Sequence, residues 1–282
     1  MPELPEVETV KNGLVRLVQN KTIADVDVRW SKIVESPTVD EFRNNLIGQV
    51  IEDVKRRGKF LLFKLTDFDL ISHLRMEGKY EYFLENEISK PDKHTHVIFT
   101  FSDGSQLHYN DVRKFGRMIL VAKNQGVLYK GIKQLGPEPT KKEFSLTTFA
   151  KKLQRSTSLI KPLLLNQKVV VGLGNIYTDE VLWTAKIHPQ QPASTLKQEE
   201  VSRLHQAIID ILAKAVSAGG TTVRTYKNAL GEAGHFQLDL KVYGKTDEPC
   251  PRCQTPISKI KVAQRGTHLC PHCQKIKRRK LS

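Results

Sequence analysis

Two cysteine pairs stand near the end of the chain, Cys250-Pro-Arg-Cys253 and Cys270-Pro-His-Cys273, and the sequence holds no other cysteine. A Cys-x-x-Cys knuckle turns tightly enough to place two thiolates on one metal. Two such knuckles with sixteen residues between them suit a tetrahedral structural site, one Zn2+ on Cys250, Cys253, Cys270 and Cys273. Disulfides and free core thiols are the plainer alternatives, and the matched pairs favour the metal. The stretch from Ile257 to Leu269 reads as two short strands that bring the knuckles together. After Glu248 no acidic residue follows, while Arg252, Lys259, Lys261, Arg265, Lys275, Lys277, Arg278, Arg279 and Lys280 share the tail. A metal-pinned hairpin carrying one sign of charge is suited to holding phosphates.

The other end of the chain offers a nucleophile. Pro2 is small enough for the initiator methionine to be removed, which exposes a secondary amine. Such an amine can attack a sugar carbon or aldehyde and form an iminium ion without losing a second proton. Glu3 follows directly and Glu6 lies one turn on, so both can face that amine and one can protonate a departing oxygen. Taken singly, these residues are a helix-starting proline and acids favoured by a helix dipole. Lys55-Arg56-Arg57-Gly58-Lys59 is a basic run in which Gly58 permits a sharp turn that aims Lys59; alone, it reads equally as a solvated face. Met76, Arg113 and Phe115 have the types that insert into a base stack, although a core methionine and phenylalanine are the commoner reading. Gly172-Leu173-Gly174-Asn175 opens a helix whose free amides suit a phosphate; a turn is the alternative.

These side chains need elements to carry them. Glu3 to Leu17 has Val7, Val10, Leu14 and Leu17 at helical spacing. From Ile23 to about Ala122 the pattern is of strands: Ile23–Val28, Val50–Val54, Phe60–Leu65, Leu70–Leu74, Val97–Phe101, Gln106–Tyr109 and Arg117–Val121. They follow too closely for crossover helices, which predicts a mostly antiparallel sandwich. Gly136-Pro137-Glu138-Pro139 marks a stiff linker. Helices are expected over Phe144–Gln154, Leu159–Leu165, Ile176–Ala185 with Asn175 as its cap, and Glu199–Ser217. Lys227 to Phe236, with Gly231 and Gly234, reads as a long loop of the kind that covers sites.

Composition narrows the partner. A formal net charge of +15 attracts a polyanion and makes binding salt-sensitive. No long apolar run argues for a membrane, and Met1-Pro2-Glu3 does not open a signal peptide, so a reducing cytosol is the expected setting.

Read together, the residues resemble a known family. Met1-Pro2-Glu3-Leu4-Pro5-Glu6-Val7-Glu8-Thr9-Val10 closely resembles the opening of formamidopyrimidine-DNA glycosylase, the bacterial 8-oxoguanine repair enzyme. The resemblance runs through Arg56-Arg57-Gly58-Lys59, Ser72-His73-Leu74-Arg75-Met76-Glu77-Gly78, Asp111-Val112-Arg113-Lys114-Phe115-Gly116 and Gly136-Pro137-Glu138-Pro139. It continues in Gly172-Leu173-Gly174-Asn175-Ile176-Tyr177 and Val242-Tyr243-Gly244 and ends at the cysteine pairs. It implies an α+β chain: an N-terminal antiparallel β-sandwich with its helix (1–130), a linker (131–140) and a helix–two-turn–helix domain (141–223). A lesion-covering loop region (224–240), a zinc finger (241–275) and a basic tail (276–282) complete it.

The resemblance also implies roles. Pro2 attacks C1′ of the damaged nucleotide, Glu3 protonates the sugar ring oxygen, and Glu6 supports the base or the amine's surroundings. Lys59 and Arg265 belong with this machinery, and with His73 and Asn175 they hold phosphates around a kink. Lys161 and Tyr243 are further DNA contacts. Met76, Arg113 and Phe115 fill the gap left by the flipped base, with Arg113 facing the orphaned cytosine. Arg224, Thr225 and Tyr226 lie on the lesion loop. The implied activity is a glycosylase and AP lyase acting on oxidised purines in damaged double-stranded DNA, as a cytoplasmic monomer with one structural zinc. The sister enzyme for oxidised pyrimidines shares Pro2, Glu3 and the finger; Leu4 and the Arg113/Phe115 pair favour the purine enzyme.

Overall fold

The computed structural model describes residues 1–221 and 235–277, which fall into two compact units, Met1–Gln134 with Gly219–His235 and Leu135–Ala218 with Phe236–Ser282. Arg224, Thr225, Tyr226 and the cations from Arg278 to Lys280 lie outside the described residues.

The first unit begins with helix α1 (Leu4–Val18), whose N-terminal turn holds Pro5 and Glu6 and whose inner face buries Val7, Val10, Leu14 and Val18. Then come β1 (Ile23–Val28), β2 (Val34–Ser36), α2 (Val39–Leu46), β3 (Ile51–Arg57), β4 (Phe60–Leu65), β5 (Phe68–His73), β6 (Lys79–Phe83), β7 (Thr95–Phe101), β8 (Gln106–Asn110), β9 (Arg117–Ala122) and the single turn α3 (Lys130–Lys133). Four strands pair in the order β1-β7-β8-β6 and five in the order β2-β9-β5-β4-β3. Every pairing is antiparallel except the short β2–β9 contact. Phe63 and Leu70 of one sheet, Phe99 and Tyr109 of the other, Leu14 of α1 and Phe42 of α2 share one core. The antiparallel sandwich expected from strand spacing is therefore present.

Four elements were absent from the sequence reading: α2, β2, β6 and the single turn α3. Helix α2 is opened by a capping box, with Thr38 Oγ1 accepting from the Glu41 amide and the Glu41 carboxylate accepting from Thr38. Strand β6 carries Tyr80 inward, and β2 is only three residues long.

The second unit is built from α4 (Leu146–Gln154), α5 (Ile160–Leu165), α6 (Asn175–Ala185) and α7 (Gln198–Ser217), followed by the hairpin β10 (Ser258–Val262) and β11 (Arg265–Leu269). Leu153, Leu164, Tyr177, Leu182, Leu204 and Ile208 form its main core. The turn from α5 to α6 is closed by Gln167, whose Nε2 donates to the carbonyls of Leu165 and Leu173 and whose Oε1 accepts from the Gly172 amide. Asn175 is the first residue of α6 rather than its cap, which is Gly174. Its side chain is engaged elsewhere, as described below. No helix among the described residues is long and apolar enough to cross a membrane.

Candidate active site and nucleic-acid interface

The start of α1 is unusual in burying two carboxylates, Glu3 at 2% exposure and Glu6 at 4%. Such groups need partners. Glu6 Oε2 accepts from the Glu3 amide at 2.8 Å, and Glu6 Oε1 accepts from the Thr221 amide and hydroxyl at 2.8 and 3.1 Å. Gly220, at φ +79°, allows this approach, because a β-carbon there would press on the Glu6 carboxylate. Pro2 is buried beside them. The terminal amine, carried by Met1 one residue ahead of Pro2, has its pKa lowered by burial; Lys59 pushes the same way, against Glu3, Glu6 and Glu77.

Lys59 reaches this neighbourhood from the turn joining β3 to β4, where Arg57 pairs with Phe60. Gly58 takes φ +57° in that two-residue turn, so the glycine does what the sequence required of it. Lys59 itself is 6% exposed. At the end of β5, His73 is buried, its Nδ1 accepts from the Arg75 amide at 2.9 Å, and its ring meets Phe60 edge-on. Burial, then Arg75 and Lys59, pull its pKa down to about 3. His73 is therefore neutral at physiological pH, and with Nδ1 accepting, Nε2 carries the proton and can donate to a phosphate oxygen.

Met76 sits on the turn after β5 and is half-buried; Arg113 and Phe115 sit on the loop between β8 and β9. Phe115 is 47% exposed, and the Arg113 guanidinium lies 4.8 Å from its ring centroid. A core role for Phe115 is thereby excluded. Both turns lean on Tyr109: a β-carbon at Gly78 or at Gly116 would collide with its hydroxyl. Asp111 shapes the second loop. Its buried carboxylate accepts from the amides of Arg113 (3.0 Å), Phe115 (2.9 Å) and Gly116 (2.8 Å). Sequence reasoning missed Asp111, although an aspartate two residues before a turn is a known signal.

In the second unit the four cysteine sulfurs lie within 4.8 Å of one another, with Cys253 Sγ at 3.4 Å from Cys270 Sγ and 3.5 Å from Cys273 Sγ. A zinc tetrahedron with bonds of about 2.3 Å has edges of roughly 3.8 Å, so the four thiolates fit one Zn2+. Among the described residues this is the one cluster of its kind. The donors around it suit thiolates: the Trp183 indole N–H points at Cys250 Sγ and the Cys273 amide at Cys270 Sγ, each at 3.4 Å. Arg252 stacks on Trp183 at 3.6 Å and donates to the carbonyls of Trp183 and Thr184 at the end of α6.

The hairpin that this site closes carries Arg265, which is exposed. The neighbouring Gly266 carbonyl accepts from Asn175 Nδ2 at 2.9 Å and from Lys161 Nζ at 3.3 Å. Lys161 corrects the sequence reading. It was expected to touch DNA, yet it is fully buried, paired with Asp179 at 2.6 Å and bonded to Thr267 Oγ1 at 2.8 Å. A cation with no exposed surface acts on a phosphate only through the loop it holds. Tyr243 packs edge-on against His268 of β11, and its amide, with those of Lys241 and Val242, donates to Glu180. Burial raises the Glu180 pKa, opposed by these amides.

A helix-headed β-sandwich with acids buried at its start, a helix–turn–helix bundle and a four-cysteine hairpin define a zinc-bearing DNA glycosylase with an associated AP lyase activity. Domain models agree along the chain: formamidopyrimidine-DNA glycosylase N-terminal domain over residues 1–118, formamidopyrimidine-DNA glycosylase H2TH domain over 135–227, and zinc finger found in FPG and IleRS over 247–276. The formamidopyrimidine-DNA glycosylase of Enterococcus faecalis is 65% identical over 282 residues, 100% of both chains. Wild-type Lactococcus lactis Fpg bound to DNA containing N7-benzyl-Fapy-dG superposes with a TM-score of 0.92 at 46% identity, covering 97% of this chain and 100% of that one. Lactococcus lactis Fpg with abasic-site DNA gives 0.92 at 47%, covering 97% and 99%. The chain belongs to the formamidopyrimidine-DNA glycosylase family.

Proposed function

We propose that, once Met1 is removed, the secondary amine of Pro2 displaces oxidised purines (8-oxoguanine and formamidopyrimidines) from duplex DNA and that the same intermediate then cuts the strand. The observation that carries this reading is the buried start of α1, where Pro2 is enclosed beside the buried carboxylates of Glu3 and Glu6 and next to a Met1 amine whose pKa burial lowers. The Pro2 nitrogen gives its lone pair to C1′ while the glycosidic bond breaks; the base leaves with the bonding pair and takes up the proton that the new ammonium nitrogen sheds, which frees the nitrogen lone pair for the next step. Glu3 gives a proton to the ring oxygen, the sugar opens, and nitrogen and C1′ become an iminium. That cation acidifies the C2′ hydrogen; its loss expels the 3′ phosphate, and a second elimination expels the 5′ phosphate. The first step requires that amine unprotonated, which burial at the start of α1 favours.

The other residues fall into place around this step. Glu6, tied to Thr221, shapes the wall behind the amine. Lys59, neutral His73, Asn175 and Arg265 hold phosphates, and Tyr243 borders the same hairpin. Lys161 acts through Gly266. Met76, Arg113 and Phe115 fill the space of the extruded nucleotide, which offsets part of the few kcal/mol that flipping costs, and Arg113 faces the orphaned cytosine. Arg224, Thr225 and Tyr226 cover the extruded base. The Lactococcus lactis complexes with a formamidopyrimidine analogue and with an abasic site support both the lesion class and the lyase step. A cytoplasmic monomer with the segment boundaries given above belongs to the same reading.

Borohydride trapping on an 8-oxoguanine:cytosine duplex tests it. Pro2→Gly should lose trapping and excision while binding to damaged duplex changes by less than about threefold. Full activity in the variant, or an adduct mapped to Lys59, would overturn the assignment.

A further inference from the structure

We infer that Glu8 and Arg56 are positioning residues for catalysis: they form a strut from the nucleophile helix to the β3–β4 turn and fix Lys59 relative to the amino terminus. The inference rests on the Pro2 reading and adds two residues to it, Glu8 and Arg56.

Glu8 lies on α1 beyond the first turn. Its carboxylate meets Arg56 Nε at 2.5 Å and Lys11 Nζ at 2.8 Å, and the Glu8 and Arg56 side chains are 20% and 13% exposed. Burial works against the Glu8 charge, but Lys11 and Arg56 outweigh it and hold the carboxyl below its ordinary pKa. Arg56 uses the other arm of its fork as well. Its Nη1 donates to the Gly58 carbonyl at 2.9 Å, the carbonyl immediately before Lys59. One planar guanidinium thus ties the helix that begins with the nucleophile to the turn that presents the lysine. A lysine could supply the charge at position 56 but not the two-armed geometry.

The strut has a chemical consequence. The charged groups that act on the terminal amine, carried here by Met1, are Glu3 and Glu6 beside it, Lys59 from the β3–β4 turn and Glu77 from the turn after β5. Lys59 stands on the two-residue β3–β4 turn that Arg56 holds through the Gly58 carbonyl. A slack turn lets Lys59 withdraw, and the amine then regains basicity. The groove beside the strut is lined by Lys11, Arg16, Asp53 and Lys55 as well, and of these Lys11 acts on Glu8.

The test uses Arg56→Lys and Glu8→Gln in the full-length, zinc-loaded protein, with Glu8→Asp as the conservative control. Single-turnover excision and borohydride trapping are measured from pH 5.5 to 9, and affinity is read on a duplex with an uncleavable abasic analogue. Arg56→Lys and Glu8→Gln should each slow excision about tenfold or more with binding changed less than about threefold. The acidic limb of their pH–rate profiles should move to higher pH, the two effects should not add in the double variant, and Glu8→Asp should recover part of the rate. Rates within about twofold of wild type would overturn the inference, as would parallel losses of rate and affinity with the acidic limb unmoved. If wild-type protein fails to trap at all, the Pro2 reading fails; if wild type traps and the strut variants match it, only the strut fails.

Discussion

Lys59 and Arg265 occupy the same kind of place in two different units: each is a cation at the tip of a two-stranded antiparallel hairpin. The supports differ. Lys59 projects from a hairpin embedded in a five-stranded sheet with a large shared core, and it is almost wholly buried. Arg265 projects from an isolated two-stranded hairpin whose local cluster is Trp183, Val242, Cys250, Ile257 and Cys270. A hairpin so small does not hold itself. It is closed by metal at its base and fastened to α5 and α6 by a buried Lys161–Asp179 pair and by Asn175. Where apolar area is ample, the chain positions a cation with packing and one strut; where it is scarce, metal and buried charge take over.

The two tryptophans separate these supports experimentally, since Trp30 packs on the first unit's core and Trp183 lies against Cys250. The largest effect should come from the metal. Four-thiolate sites contribute folding free energy on the order of 10 kcal/mol to the module they close. Cys250→Ser, Cys273→Ser or a strong chelator should release one zinc per chain, change Trp183 fluorescence, and weaken DNA binding, while Trp30 still reports a cooperative first unit. Purified protein with no zinc, or a Trp30 transition lost together with the Trp183 signal, would end the comparison.

The buried pair comes next. Lys161→Met leaves Asp179 charged in a dry site, an imbalance that costs about 3–5 kcal/mol, whereas Lys161→Met with Asp179→Leu should restore much of it. His268 also leans on Asp179, through its amide at 2.8 Å and its ring nitrogen at 3.4 Å, so the single change should loosen the whole of β11. Denaturation followed at Trp183 should show the loss and Trp30 should not. If the double variant regains stability but not affinity for damaged duplex, Lys161 and Asp179 place Arg265; equal affinity in wild type and double variant would restrict the pair to stability.

What the sequence disclosed divides along the same line. Features set by local chemistry were legible: the knuckles, the φ-positive Gly58 that aims Lys59, the strand runs of the sandwich and the four helices. Features set by distant partners were not. Nothing near Lys161 announces that Asp179 and Thr267 enclose it, and a lysine in a basic chain reads as a surface contact until its burial is seen. Asn175 looked like a helix cap because residue type suggests it, but it is the first helical residue, one place inside the Gly174 cap, and its side-chain amide donates to the Gly266 carbonyl. Helix α2 was readable in principle from Thr38 and Glu41, whereas β2 is too short to carry a pattern. Glu8 and Arg56 were visible only as an acid in a helix and a charge in a run; forty-eight positions apart, they meet through the fold.

The smallest effect is specific to the first unit and follows from His73. Its folded pKa of about 3 lies below the ordinary 6.5 because burial, Arg75 and Lys59 disfavour the imidazolium. The unfolded chain therefore binds a proton between those values that the folded chain does not. The stability attached to neutral His73 is present above pH 6.5 and is lost progressively as pH falls toward 3. From pH 6.5 to 5 the loss is about 2 kcal/mol. Denaturant unfolding followed at Trp30 should weaken by that amount over this interval, and His73→Gln, which cannot titrate, should flatten the slope. His108 is also lowered by burial, opposed by Glu81, so a residual slope in the variant is expected from the same unit. Trp183 should show no change attributable to His73. A variant whose Trp30 slope equals that of wild type would mean that His73 does not titrate below its ordinary range, and that its neutral, Nε2-donating form at a phosphate is not enforced by the fold.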